Sequence, residues 1–128
     1  MTIAEVSRKY DLSADTLRYY ERIGLIPPVN RNSSGNRDYT EGDCRWVKFI
    51  KCMRNAGLSI ELLIEYVSLF QQGKATIDVR KELLLEQRRQ LAEKVQELQN
   101  TLSYLDHKIN GYEERMLKVE EDLKNFSE

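Results

Sequence analysis

The chain has 128 residues, 41% of them hydrophobic and 32% charged, with a formal net charge of −1. That length holds one small globular domain plus an extended element and excludes two full-sized cores, while the near-neutral total argues neither for nor against nucleic acid. Two cysteines, Cys44 and Cys52, are too few for a disulfide framework, and no apolar run is long enough for a signal peptide or a transmembrane helix. No membrane partner is expected, and a reduced, cytoplasmic setting is.

The charge is uneven. Residues 1–55 carry ten Lys/Arg against seven Asp/Glu, and residues 56–128 carry ten against fourteen. A polyanionic partner is therefore expected at the first half and a solvated helix in the second.

Thr2, followed by Ile3, Ala4 and Val6, starts a short amphipathic helix that runs to Lys9 or Tyr10. A tight turn at Tyr10-Asp11-Leu12-Ser13 leads to a second helix capped by Ser13, and two helices joined so closely make a helix-turn-helix, here residues 3–23. The stretch Asp15 to Glu21 places hydroxyls, a guanidinium and flat rings on and around one exposed side, with Thr16, Arg18, Tyr19 and Tyr20 as candidate DNA contacts. Leu17, with Tyr20 or Ile23, is the expected inner face, so Tyr20 is open to either role. Gly24 and Pro27-Pro28 end the helix.

The polar run between Val29 and Tyr39 turns around Gly35 and reads as a hairpin wing, residues 29–39, with Arg31 and Arg37 near its tip; a plain solvated loop is the alternative. Thr40 and Asp43 resemble a capping box opening a helix over 41–56, with Trp46, Val47, Ile50 and Met53 as its core stripe. After Gly57, Ser59 caps a helix over 60–72 in which Leu62, Leu63, Tyr66, Val67 and Phe70 are expected to be buried. These elements form a head over residues 1–73.

From Thr76 onward a heptad is countable. One position reads Leu84, Leu91, Leu98, Leu105, Tyr112 and Val119, and four residues after each come Arg88, Val95, Leu102, Ile109, Met116 and Leu123. A lone helix with that seam would expose it to water, so a coiled-coil dimerisation helix is expected over 76–124, pairing two copies of the chain.

Catalytic readings fail quickly. The one histidine, His107, falls on the outer face of the heptad, and no Ser/His/acid set or glycine-rich phosphate loop is recognisable, so the chain is not expected to be an enzyme. Cys44 and Cys52 lie eight residues apart on one predicted helix, about 80° apart around its axis, with no third thiol to complete a metal site. Neither a metal nor a cofactor is expected. Each cysteine reads first as a small buried residue, but Lys48, Lys51 and Arg54 surround Cys52, and nearby cations favour a nucleophilic thiolate.

A helix-turn-helix, an arginine-bearing hairpin and a dimerising rod together would present two recognition helices at fixed spacing, as symmetric half-sites require. The alternative from another class is a coiled-coil interaction scaffold without DNA binding. In order along the chain, Ile3-Ala4-Glu5-Val6, Thr16-Leu17-Arg18-Tyr19-Tyr20-Glu21, Gly24-Leu25-Ile26-Pro27-Pro28, Asn36-Arg37-Asp38-Tyr39 and Arg54-Asn55-Ala56-Gly57-Leu58-Ser59 resemble the MerR-type transcription regulators. The resemblance implies a mainly α fold, with a winged helix-turn-helix head followed by a long dimerisation helix forming an antiparallel coiled coil. It implies double-stranded promoter DNA and RNA polymerase as partners, and activation by distorting an overlong promoter spacer. By motif it assigns Thr16, Arg18, Tyr19 and Tyr20 to the recognition helix and Arg37 and Tyr39 to the wing. The chain is similar to the short subgroup responding to aldehydes or nitrosative stress, in which a lone cysteine precedes the Gly-Leu-Ser turn. Cys52 matches that position, and Cys44 matches no motif. A regulator with a noncovalent effector, or none, is the alternative within the family.

Overall fold

A computed structural model of the chain describes residues 1–127 and the side chains of residues 1–124. In chain order it contains α1 (Ile3–Tyr10), α2 (Ala14–Arg22), α3 (Glu41–Asn55), α4 (Ile60–Gln71), a 3-10 turn (Lys74–Thr76), α5 (Ile77–Ile109) and α6 (Tyr112–Ser127). It divides into two compact units, Met1–Gln87 and the residues from Arg88 onward.

The head's helices begin where their side chains replace missing backbone partners. Thr2 Oγ1 accepts the Glu5 N–H at 3.2 Å while the Glu5 carboxylate accepts the Thr2 N–H at 3.1 Å, and Thr40 with Asp43 repeats the exchange at 3.1 and 2.9 Å. Ser13 and Ser59 accept from the Thr16 and Leu62 N–H groups, at 3.0 and 3.2 Å. Each cap contributes about 1 kcal/mol, which matters for helices as short as the eight-residue α1. Between α1 and α2 the chain reverses through Asp11 at φ 52°, a left-handed conformation that Asp tolerates better than most residues. The Ser7 hydroxyl donates to the Leu12 carbonyl across that turn.

The core joins Val6 of α1, Leu17 and Tyr20 of α2, Leu25, Ile26 and Val29 after it, Tyr39, then Cys44, Val47 and Ile50 of α3 and Leu63 of α4. Tyr66 and Phe70 do not join it as the stripe reading expected, and Trp46 only packs against its edge. Trp46 and Tyr66 are half-buried and Phe70 is exposed; with Phe49 they form an edge-to-face cluster on the outer side of α3 and α4, Trp46 and Phe70 having centroids 4.9 Å apart. A helical period selects a face, but it does not say how deep that face is covered.

After α4 the Thr76 hydroxyl donates to the Leu69 carbonyl at 2.6 Å, and Arg80 Nε donates to that hydroxyl at 3.1 Å. Arg80 also lies over the Phe70 ring, 5.3 Å from its centroid, so the start of α5 is tied to the end of α4.

The heptad was expected to run unbroken to Leu123, but the helix stops at Ile109 and restarts at Tyr112. Gly111 sits at φ 71°, where other residues are strained, and the Arg115 guanidinium donates to the His107 carbonyl at 2.8 Å and to that of Asn110. The Asn110-Gly111 pair outweighs a seven-residue repeat that passes through it. Within α5 the seam survives as an uncovered stripe: Val95, Leu98, Leu102, Leu105 and Ile109 are all exposed. No described segment of the chain is long and apolar enough to cross a membrane as a helix.

Candidate nucleic-acid interface

Helix α2 is held from below by Leu17, which is fully buried, and by Tyr20, which is 7% exposed. Its opposite side carries Arg18 and Tyr19, both exposed, and Thr16, half-exposed and sharing a 2.8 Å hydroxyl contact with Ser13. Arg18 pairs with Asp15 at 2.9 Å, an exposed contact that contributes little and leaves the guanidinium free to exchange it for phosphate. Arg22 lies 5.5 Å from the centroid of the Tyr19 ring, adding a second cation to the same surface.

The wing is narrower than a two-stranded hairpin. Its register is a single antiparallel bridge between Arg31 and Arg37, and the Asn32 side chain accepts the N–H groups of Ser34 and Asn36 inside the turn. The Arg31 guanidinium folds onto the Gly35 carbonyl at 2.8 Å. Asp38 N–H donates to the Asn30 carbonyl at 2.7 Å and closes the base.

Arg37 was expected as a free wing guanidinium. Instead its Nε donates to Glu21 at 2.6 Å in a pair with both side chains under one-fifth exposed. The other Glu21 carboxylate oxygen accepts the Val29 N–H at 3.0 Å, so one side chain of α2 holds both arms of the wing. Burial by itself would raise the Glu21 carboxyl, but the Arg37 hydrogen bond, the Val29 N–H and the charges of Arg37 and Arg31 outweigh it and hold the group below the ordinary carboxylate value. Arg37 thereby sets the angle between recognition helix and wing.

Tyr39 is 2% exposed and its hydroxyl lacks a hydrogen-bond partner; burial pushes the phenol above its ordinary value, as it does for Tyr20. For Tyr20 the inner-face alternative holds, and Tyr39, assigned to the wing by motif, is buried as well; as candidate DNA contacts both are corrected, because each ring packs on the core side of its segment. Sequence reading also missed Lys51. Its ammonium donates to the Tyr10 carbonyl at the end of α1 and ties α3 to the helix-turn-helix. No local pattern marks a contact between residues 41 apart.

The two cysteines differ. Cys44 is 4% exposed within the core, whereas Cys52 is exposed, contrary to the burial expected of a lone thiol. Both line one open groove of about 940 Å³ between α1 and α3, together with Lys9, Lys48, Lys51 and Tyr39. Among the described residues, no three His, Cys, Asp or Glu side chains come together as a metal site.

Comparison with known proteins agrees with this geometry. Residues 1–69 match the MerR HTH family regulatory protein model, and residues 44–108 match the model described as MerR, DNA binding. The HTH-type transcriptional regulator AdhR of Bacillus subtilis is 59% identical over 93 residues, 73% of this chain and 66% of that protein, so the match spans just under two-thirds of AdhR. A MerR family transcriptional regulator from Listeria monocytogenes superposes with a TM-score of 0.87 at 48% identity, covering 99% of this chain and 96% of the other. HiNmlR, described as a MerR family regulator lacking the sensor domain and solved bound to promoter DNA, superposes at 0.80 with 32% identity, covering 88% and 90%. The wing-braced helix-turn-helix and the long helix that follows it in the chain are thus those of a transcriptional regulator rather than an enzyme, and the chain belongs to the MerR family, alongside the AdhR-like and NmlR-like members.

Proposed function

We propose that two copies of this chain, joined through the helical region over 76–124 that breaks at Asn110-Gly111, occupy a palindromic promoter site in the cytoplasm and activate RNA polymerase there by distorting an overlong spacer. Arg18, Tyr19 and Thr16, with Arg22 beside them, meet the DNA, while Arg37 braces the wing and Tyr20 and Tyr39 support from within. The observation that carries the DNA reading is the convergence of Arg18, Tyr19 and Arg22 on the uncovered side of a helix whose other side is locked in the core. HiNmlR, with promoter DNA in its structure, supports the placement. Arg18→Ala should weaken binding to the promoter upstream of the gene by at least about tenfold and reduce its salt dependence. Equal affinity in gel-shift titrations would remove α2 from the contact surface.

The effector is sensed at Cys52 as an aldehyde or another thiol-reactive or nitrosating compound. With a carbonyl compound, the sulfur lone pair forms an S–C bond, the C=O π pair moves to oxygen, and that oxygen takes up the proton released by the thiol, giving a hemithioacetal without an oxidant. Exposure of Cys52 supports this chemistry, as does its neighbour Lys51, which holds the end of α1 and so offers a route from the thiol to the helix-turn-helix. Cys52→Ser should abolish induction by aldehydes or nitrosating agents in a promoter-reporter strain while leaving promoter binding intact. Induction that persists would favour a second reading, a noncovalent effector, for which the pocket of about 360 Å³ walled by Trp46, Phe49, Tyr66 and Phe70 is the available site.

A further inference from the structure

The groove holding Cys52 is charged on one side of the ledger only. Lys9, Arg45, Lys48 and Lys51 line it against a single carboxylate, Glu41. Glu41 is engaged by Arg45 at 3.1 Å, and the Lys51 ammonium is committed to the Tyr10 carbonyl. Lys9 rests over the Tyr10 ring at 5.5 Å, and Lys48 is exposed one helical turn before Cys52 on α3. Tyr39 and Cys44 complete the wall.

Resting on the thiol-sensing reading above, we propose that the groove selects electrophiles carrying an anionic group, with Lys48 and Lys9 holding a carboxylate while Cys52 attacks the reactive carbon. The excess positive charge raises the local concentration of an anionic reagent and repels a cationic one, and both effects fade as salt shortens the screening length. Lys48 and Lys9 are thus specificity residues, acting on which electrophile arrives.

The test compares iodoacetate with iodoacetamide on the full chain, reading Cys52 by site-resolved mass spectrometry. In both reagents the thiolate forms an S–C bond at the methylene, the C–I bond breaks and iodide leaves, so only the charge of the tail differs. The ratio of the two rates, divided by the same ratio for a neutral cysteine peptide, should be about threefold to tenfold above one at low salt. It should fall toward one in 0.5 M salt or in Lys9→Gln/Lys48→Gln, and below one in Lys48→Glu. A normalised ratio of one in the wild type, or one unmoved by these variants, overturns the proposal. So does a loss of promoter affinity in the double variant with the ratio unchanged, which would assign the lysines to DNA phosphate. If iodoacetamide labels Cys52 and Cys52→Ser abolishes induction while the ratio is flat, only the selectivity fails; if neither reagent labels Cys52, the thiol reading fails with it.

Discussion

The two units of this chain obey opposite rules. Within residues 1–87 a core closes: Val6, Leu17, Leu25, Ile26, Val47, Ile50, Leu63 and Val67 are all essentially inaccessible, and the exposed Ile77, Val79 and Leu85 belong to the start of α5. Among the described residues from Arg88 onward the apolar side chains are regular and none is buried, with Leu98 69% and Leu102 60% exposed and only Leu91 and Met116 half-covered. A head that satisfies itself has a defined shape as a single chain, and that shape carries the recognition surface. On the function proposed above, the helix that cannot satisfy itself takes a second chain, as a reader of symmetric half-sites requires.

The sharpest way to break this contrast is to charge the seam. Leu98→Asp with Leu102→Asp should weaken self-association by at least about 4 kcal/mol, near a thousandfold, because two apolar contacts are replaced by carboxylates that resist desolvation. Sedimentation should show a monomer whose head unfolds as before; a persistent dimer would place the interface elsewhere. The converse change, Leu17→Ala, should cost the head about 2–5 kcal/mol in urea titrations by opening a cavity beneath the recognition helix.

A smaller effect is expected at the brace between helix and wing. Glu21→Gln leaves the mostly buried Arg37 without its charge partner and should cost about 1–3 kcal/mol at neutral pH. Because the folded protein holds Glu21 below its ordinary value, the wild-type contribution is complete above the unfolded carboxylate pKa, about 4.3, and is lost as pH falls through the lower folded value. Stability curves of wild type and Glu21→Gln should therefore converge in acid and separate toward neutrality. Parallel curves would mean that Arg37 braces nothing. The smallest change is expected at Gly111→Ala, about 1 kcal/mol of thermal stability, since a Cβ is strained at φ 71° and meets nothing closer than the Arg115 guanidinium at 3.9 Å.

What the residues revealed in advance follows the same division between local and long-range causes. Thr2, Ser13, Thr40 and Ser59 announce helix starts because a cap is a contact across three residues, and the structure forms all four. Gly24, at φ 84°, marks the end of α2 for an equally local reason. The errors concern contacts between distant segments. Tyr20 and Tyr39 carry chemistry suited to DNA but lie on core faces, Arg37 is committed to a carboxylate 16 residues earlier, and Lys51 reaches the end of α1. The helix stop at Asn110-Gly111 was legible as a turn pair, yet the strength of the heptad on either side obscured it. Cys52 stood out for its charged neighbours, but its exposure depends on how α1 packs across α3, which no spacing encodes.

The central claim is that a self-sufficient head reads DNA only as one of two copies, and footprinting the promoter upstream of the gene tests it most directly. The wild-type chain should protect two symmetric half-sites, and Leu98→Asp/Leu102→Asp, with its head intact, should lose that protection at the same concentration. Protection of a single half-site that survives in the seam variant would contradict the account.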